Sequence, residues 1–118
     1  MSELLNIRPN LEVAELGPTV THLRHVLGFE VDVEEEDMGL ALLHRDAVAV
    51  AVVRTANPAV NETTSAYINV VRVDELYAES KARGAKVVVD LTDHPWGLRD
   101  FVVELPGGHR LALGERIA

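Results

Sequence analysis

Five histidines are the main candidates for acid–base or metal chemistry, because the chain contains no cysteine. They are His22, His25, His44, His94 and His109. His22 and His25 lie three residues apart on a predicted helix, which permits joint coordination, but a zinc site needs further ligands and nothing marks them. The same spacing is typical of an ordinary helix surface. The sequence shows no Ser-His-Asp arrangement, phosphate loop or nucleotide-binding fingerprint.

The only tryptophan, Trp96, lies in the stretch DHPWGLRDF between a proline and a glycine. An indole on a loop offers a flat apolar face, and stacking on a planar ring adds ~0.5–1.5 kcal/mol beyond area burial. Gly97 lacks a Cβ, so a ligand or another backbone segment can approach closely there. Arg99 can bind a ligand carbonyl or carboxylate, or pair with Asp100 or Glu104. The alternative is structural: Trp96 caps the core or a dimer interface, and Arg99 forms an ion pair.

Polar residues in predicted strands provide further candidates for a binding site. Tyr67 and Asn69 alternate on one strand and therefore face the same side. A buried amide such as Asn69 needs hydrogen-bonding partners, and a ligand can supply them. His44 ends another strand and faces either a cavity or a turn. The acidic run 34–37 is either a solvated strand end or a cation site.

Hydrophobic periodicity and turn residues place these candidates on an ordered series of elements. The first half predicts a strand at 11–15, a helix with Pro18 in its first turn and Gly28 at its stop, and strands at 29–33, 40–44 and 47–53. The second half predicts a strand at 67–71, a helix at 73–83, and strands at 86–91, 98–105 and 110–114. The order strand, helix, three strands occurs twice, which predicts a duplicated βαβββ module. We expect one domain over 1–118, with module one at about 1–54, a linker at 55–64 and module two at about 65–118.

Composition and charge exclude several classes of partner. The chain has 118 residues, is 47% hydrophobic and carries a formal net charge of −8. Nucleic-acid binding needs a basic face, so it is not expected, whereas a cationic ligand is compatible with the charge. The longest apolar stretch, 47–53, is too short to span a bilayer, and residues 1–17 do not have the pattern of a signal peptide. Together with the absence of cysteine, this predicts a cytoplasmic protein.

Three motifs resemble those of the vicinal oxygen chelate superfamily, which includes glyoxalase I, extradiol dioxygenases, fosfomycin-resistance enzymes and bleomycin-resistance proteins. The motifs are Leu27-Gly28-Phe29, Trp96-Gly97-Leu98-Arg99-Asp100-Phe101 and Leu105-Pro106-Gly107-Gly108-His109. The second is similar to a Trp-Gly-x-Arg-Glu/Asp-Phe stretch of bleomycin-resistance proteins and their metal-free relatives. The resemblance covers nearly the whole chain. It implies an α+β fold in which two tandem βαβββ modules form a half-open, mixed β-barrel-like cavity, the glyoxalase/bleomycin-resistance fold.

The resemblance also indicates where the superfamily's enzymes hold a divalent metal. That chemistry needs three or four nitrogen or oxygen ligands converging at about 2 Å, with an open coordination position. The corresponding positions here fall near Arg8, at the valines 48, 50 and 52, near Ser65 and at Ala112. None of these side chains is a good ligand, so we expect no metal and no other cofactor. The last hairpin also departs from the usual Asp-Pro-Asp-Gly pattern, because Leu105 and Gly107 replace both acids.

The expected function is that of the resembled branch: a metal-free, homodimeric protein that sequesters a small organic molecule. A planar ligand is expected, and a cationic one is compatible with the indole. The expected ligand-binding residues are Trp96, Gly97, Arg99, Tyr67, Asn69 and His44, and no catalytic residue is assigned. Two alternatives remain open. One is an enzyme of the same fold, a lyase, isomerase or dioxygenase-like protein with a different site around His44 or Arg99; the other is an interaction domain with a vestigial cavity.

Overall fold

The computed structural model describes residues 1–61 and 63–118, which form two helices and two four-stranded sheets. The elements of the first half are β1 (Asn10–Val13), α1 (Leu16–His25), β2 (Glu30–Glu35), β3 (Leu40–Arg45) and β4 (Val48–Arg54). Those of the second half are β5 (Ala66–Asn69), α2 (Val73–Ala82), β6 (Lys86–Asp93), β7 (Leu98–Glu104) and β8 (Arg110–Arg116). The predicted α+β class and the duplicated βαβββ order are confirmed. Glu62, inside the predicted linker, lies outside the described residues.

The two sheets repeat one topology. Sheet one has the strand order β1-β4-β3-β2 and sheet two the order β5-β8-β7-β6. In each sheet the first strand pairs in parallel with the last, and the remaining neighbours are antiparallel. The two sheets are not closed into a barrel. This agrees with the half-open arrangement that the resemblance implied.

Alternation along the strands gives sheet two a core side and an open face. Ile68, Phe101 and Leu111 belong to or pack against the hydrophobic core, and the Phe101 ring meets Tyr77 of α2 edge-on at 5.1 Å between centroids. The strand register shows which residues share the opposite side, because it pairs Tyr67 with Ala112 and Ala112 with Val102 on neighbouring strands. We call this second side the open face; its residues include Tyr67, Asn69, Asp100, Val102, Ala112 and Gly114.

Helix α1 has Pro18 in its first turn, as predicted. It starts at Leu16, so Pro18 is its third residue. The first four backbone N–H groups of a helix have no partner within it, so a proline there removes no hydrogen bond. Strand β5 ends earlier than predicted, at Asn69, and Val71 therefore lies outside the strand with 70% of its surface exposed.

Within the part of the chain that the structure describes, neither helix is long and apolar enough to cross a membrane.

Candidate functional site

The open face of sheet two carries a buried carboxylate, Asp100, at the centre of a hydrogen-bonded group. Asp100 is only 8% exposed, although it lies on the side of β7 that faces away from the core. The Tyr67 hydroxyl donates to its Oδ2 at 3.0 Å, and the Nε2 of His94 lies 2.7 Å from its Oδ1. Because a carboxylate only accepts, Nε2 carries the proton in this bond. The three side chains therefore fix one another across β5, β7 and the end of β6.

Trp96 is attached to this group through His94. The two rings stack at 4.5 Å between centroids with an interplanar angle of 7°, and Trp96 remains 67% exposed. One face of the indole is thus held by the imidazole, and much of the rest is open to solvent. This exposed fraction shows that the indole is not buried in the core.

Two glycines make the geometry possible, each for a different reason. A Cβ at Gly114 would lie 1.8 Å from the Tyr67 hydroxyl oxygen and 2.8 Å from the Asp100 Cβ, so only glycine lets these side chains meet over β8. Gly97 has a φ of +87°, and a Cβ there would lie 3.4 Å from the Ala118 carbonyl oxygen. The Gly97 carbonyl also accepts from the Ile117 N–H at 2.9 Å. The close approach expected at Gly97 is therefore made by the chain's own C-terminal residues.

The rest of this face is consistent with a binding surface. Burial, together with the bond to Asp100, raises the pKa of Tyr67 to about 12, so its hydroxyl stays a donor. Asn69 follows on the same face but is exposed, so its amide does not need partners as a buried one would. At the far end of the face, Arg110 pairs with Glu104 at 3.3 Å, and Glu104 also pairs with Lys86.

Arg99 is not brought to the open face. It follows the alternation of β7 to the helix side, where Nε lies 2.6 Å from Asp93 and Nη1 lies 3.2 Å from Asp74 of α2. These partners differ from Asp100 and Glu104, the ones that adjacency suggested. The hydrogen bond to Arg99 lowers the pKa of the Asp93 carboxyl.

His44 lies on the other sheet, away from Trp96 in the strand order. Its Nδ1 is 2.8 Å from both carboxylate oxygens of Asp32, and its Nε2 is 3.4 Å from Glu30. The hydrogen bond to Asp32 raises the pKa of His44. The acidic run 34–37 is exposed, and one of its members, Glu36, pairs with Arg54 at 2.7 Å.

The positions that the superfamily's enzymes use for a metal do not fit one here. Arg8 is exposed, Val50 and Val52 are buried in the core, and Ala112 has no donor atom. The Ser65 hydroxyl is 2.7 Å from Nδ1 of His109, which is itself 3% exposed. Among residues 1–61 and 63–118 no group of three His, Cys, Asp or Glu side chains is placed to hold a metal ion.

Residues 10–113 match the Glyoxalase/Bleomycin resistance protein/Dioxygenase superfamily. The chain belongs to this superfamily. A search of curated proteins found no match.

Solved structures of other proteins superpose on this chain along nearly its full length. TioX from Micromonospora sp. ML1 is 28% identical with a TM-score of 0.76, over 95% of this chain and 100% of that one. The bleomycin-binding protein of the bleomycin producer Streptomyces verticillus, solved with copper(II)-bleomycin, is 25% identical with a TM-score of 0.78, over 100% and 99%. A glyoxalase-related enzyme from Clostridium phytofermentans has a TM-score of 0.83 at 17% identity, over 98% of both chains, and shows the fold alone.

Proposed function

We propose that this protein binds a small, planar, cationic organic molecule on the open face of sheet two and sequesters it unchanged. The observation that carries this proposal is the state of Trp96, which is 67% exposed yet held by a parallel stack on His94. An exposed aromatic side chain normally samples several rotamers. The stack on His94 restricts Trp96, so the free face of the indole is preorganised for a flat ligand.

The charge around Trp96 favours a cation. Asp100 brings a carboxylate that is 8% exposed, and its bonded neighbours are a phenol and an imidazole. A cationic ring over an indole gains about 0.5–1 kcal/mol at an exposed site and about 2 when desolvated. The net charge of −8 adds a weak attraction for cations over the whole surface.

The similarity to a bleomycin-binding protein supports the same class of function, because that protein holds a small organic ligand on the same fold. Trp96, Tyr67 and Asn69 remain the proposed contacts, and Asp100 and His94 join them as the groups that fix Trp96. Gly97, Arg99 and His44 were also expected to bind. Gly97 and Arg99 are engaged by other parts of the chain, and His44 belongs to the opposite sheet.

Calorimetric titration tests the proposal directly. The probes are N-methylquinolinium, a flat cation, and bleomycin. We expect the cation to bind the wild type and to lose affinity in Asp100→Asn, with Asp37→Asn, an exposed turn residue, as the matched control. No heat from either N-methylquinolinium or bleomycin at millimolar concentration would reject this function.

An acid–base enzyme is the second candidate, because His94 is paired with the Asp100 carboxylate at 2.7 Å. A carboxylate that orients an imidazole is a common arrangement in general acid–base catalysis. A lyase or isomerase activity that survives chelator and disappears in His94→Gln would favour this candidate over the binder.

A further inference from the structure

The two modules face each other in two regions, in each of which the helix of one module lies opposite a hairpin loop of the other. We call these regions joint one and joint two; the duplication relates them, but their residues differ. At joint one the β7–β8 loop, residues 105–109, packs against α1. The hydroxyl of Thr19, the fourth residue of α1, donates to the Pro106 carbonyl at 2.6 Å, and His109 Nε2 bonds the Glu12 carbonyl at 2.7 Å. A Cβ at Gly107 would come within 3.1 Å of Val13. Only about 190 Å³ remains open at this joint.

At joint two the β3–β4 loop faces α2 and leaves a larger space. This loop spans only residues 46–47, so it is shorter than its counterpart. The fourth residue of α2 is Leu76, which has no hydroxyl to tie the loop as Thr19 does. A cavity of about 520 Å³ remains, which we call the α2 groove. Its apolar walls include Leu27, Phe29, Val48, Ile68, Leu76 and Leu113.

One end of the α2 groove carries an arginine with unused hydrogen-bonding capacity. Arg45 donates from Nη1 to the Leu27 carbonyl at 2.8 Å, and its acidic neighbour Asp46 is 3.9 Å from Nε and 92% exposed at its side chain. The other charged groups at the groove are matched more closely, because Arg72 pairs with Glu75 and Glu79 pairs with Arg83. Arg45 and Asp46 therefore form the longest ion pair described at the groove, and of the two Arg45 is the less exposed, at 35% against 92% of the side chain.

We propose that the α2 groove is a second binding site, for an aryl carboxylate or a similar molecule with a compact apolar body and an anionic head. Ligand pockets of about 300–1,000 Å³ with mainly apolar walls and a few polar groups are typical of small-molecule sites. The apolar walls take the ring, and the free N–H groups of Arg45 take the carboxylate. Trp96 and Tyr67 do not line the groove, and Ile68 and Leu113 point to the core side of sheet two; of the proposed contacts on the open face only Asn69 also reaches the groove.

Calorimetric titration with 2-naphthoate and with neutral 2-naphthamide tests this assignment. We expect naphthoate to bind one site per chain, and Arg45→Gln to abolish the preference for naphthoate over naphthamide. Arg24→Gln, an exposed substitution on α1 that removes the same charge, should leave that preference unchanged. Leu76→Trp, which fills the groove, should weaken naphthoate binding by about tenfold or more.

Val71 allows a test in variants that are expected to fold normally, because it lines the mouth of the groove and is 70% exposed. Val71→Glu should weaken naphthoate binding and Val71→Lys should strengthen it, with unchanged urea midpoints. Trp96→Ala should leave naphthoate binding intact, which separates this site from the proposed function.

Three results would overturn the second site. They are the absence of naphthoate binding at millimolar concentration, loss of that binding in Trp96→Ala, and dissociation of a dimer by Leu76→Trp or Val71→Lys. The last would show that a second copy of the chain, rather than a small molecule, covers the groove.

Discussion

Asp100 organises the surface around Trp96, because it binds Tyr67 and the His94 ring on which the indole stacks. Successive residues of a strand point to opposite faces, so Arg99 and Asp100 cannot serve the same site. This alternation can be read from the sequence, but the structure is needed to show which residues of β7 face the core and which face the other side. Phe101 sets the phase, because it is fully buried and places Asp100 on the open face.

Replacing Trp96 by alanine separates a ligand contact from a structural role. A core tryptophan would cost roughly 3–5 kcal/mol on truncation. Because Trp96 is 67% exposed, we expect the free energy of unfolding to fall by only about 1 kcal/mol. Affinity for N-methylquinolinium should fall by about tenfold, since stacking and the cation–π attraction are lost together. Urea unfolding and calorimetry on the same variant measure both; strong destabilisation with unchanged affinity would make Trp96 structural.

Gly114→Ala is expected to disrupt the Tyr67–Asp100 contact although neither of these two residues is substituted. The new Cβ would overlap the Tyr67 hydroxyl at 1.8 Å and crowd the Asp100 Cβ at 2.8 Å. We expect a loss of stability of about 1–3 kcal/mol, as for other overpacked sites. Gly17→Ala is the control, because nothing lies within 4 Å of its Cβ and α1 favours alanine. An unchanged urea midpoint for Gly114→Ala would contradict the geometry.

At the scale of elements, the strands and helices follow closely from the sequence. All ten predicted elements occur, because apolar alternation, the glycine stops and the charges at the ends of α2 agree with one another. Boundaries such as the start of α1 at Leu16 depend on hydrogen bonds that the pattern does not specify. The side-chain cap of α2 was also not predicted, since it comes from Glu115 on β8, about forty residues away in sequence.

Glu115 should make the stability of α2 depend on pH. Its carboxylate accepts from the Arg72 and Val73 N–H groups, each at 3.0 Å, at the start of the helix. These bonds lower the pKa of Glu115, so its stabilisation is present above the ordinary glutamate pKa and is lost as pH falls through the lowered value. Glu115→Gln should therefore be less stable than wild type at neutral pH, with a difference that shrinks on acidification.

The measurement for Glu115 is urea unfolding at pH 7 and at about pH 3. Glu34→Gln, an exposed substitution on β2, removes the same charge and is expected to show no such difference. A gap between Glu115→Gln and wild type that persists unchanged at low pH would show that the ionised carboxylate does not hold the helix.

At the scale of the whole molecule, the duplication could be predicted but the difference between its two joints could not. Joint one depends on Thr19, His109 and a five-residue loop, and joint two on Leu76 and a two-residue loop. These residues are far apart in sequence, and their pairing appears only when the two modules are placed together. His109 is an example, because the hairpin motif that contains it does not indicate the Glu12 carbonyl as its partner.

We expect the protein to be a homodimer in solution. Val89 on β6 leaves an apolar side chain 44% exposed, and β2 and β6 are edge strands, each paired on one side only in the described sheets. Light scattering at micromolar concentration should give twice the chain mass of 12.9 kDa. Val89→Lys, which charges the open face at the edge strand β6, should shift the protein toward monomer, whereas Val71→Lys at the groove mouth should not. A monomer mass for the wild type would exclude a dimer, and a dimer that tolerates Val89→Lys would place its interface away from the open face.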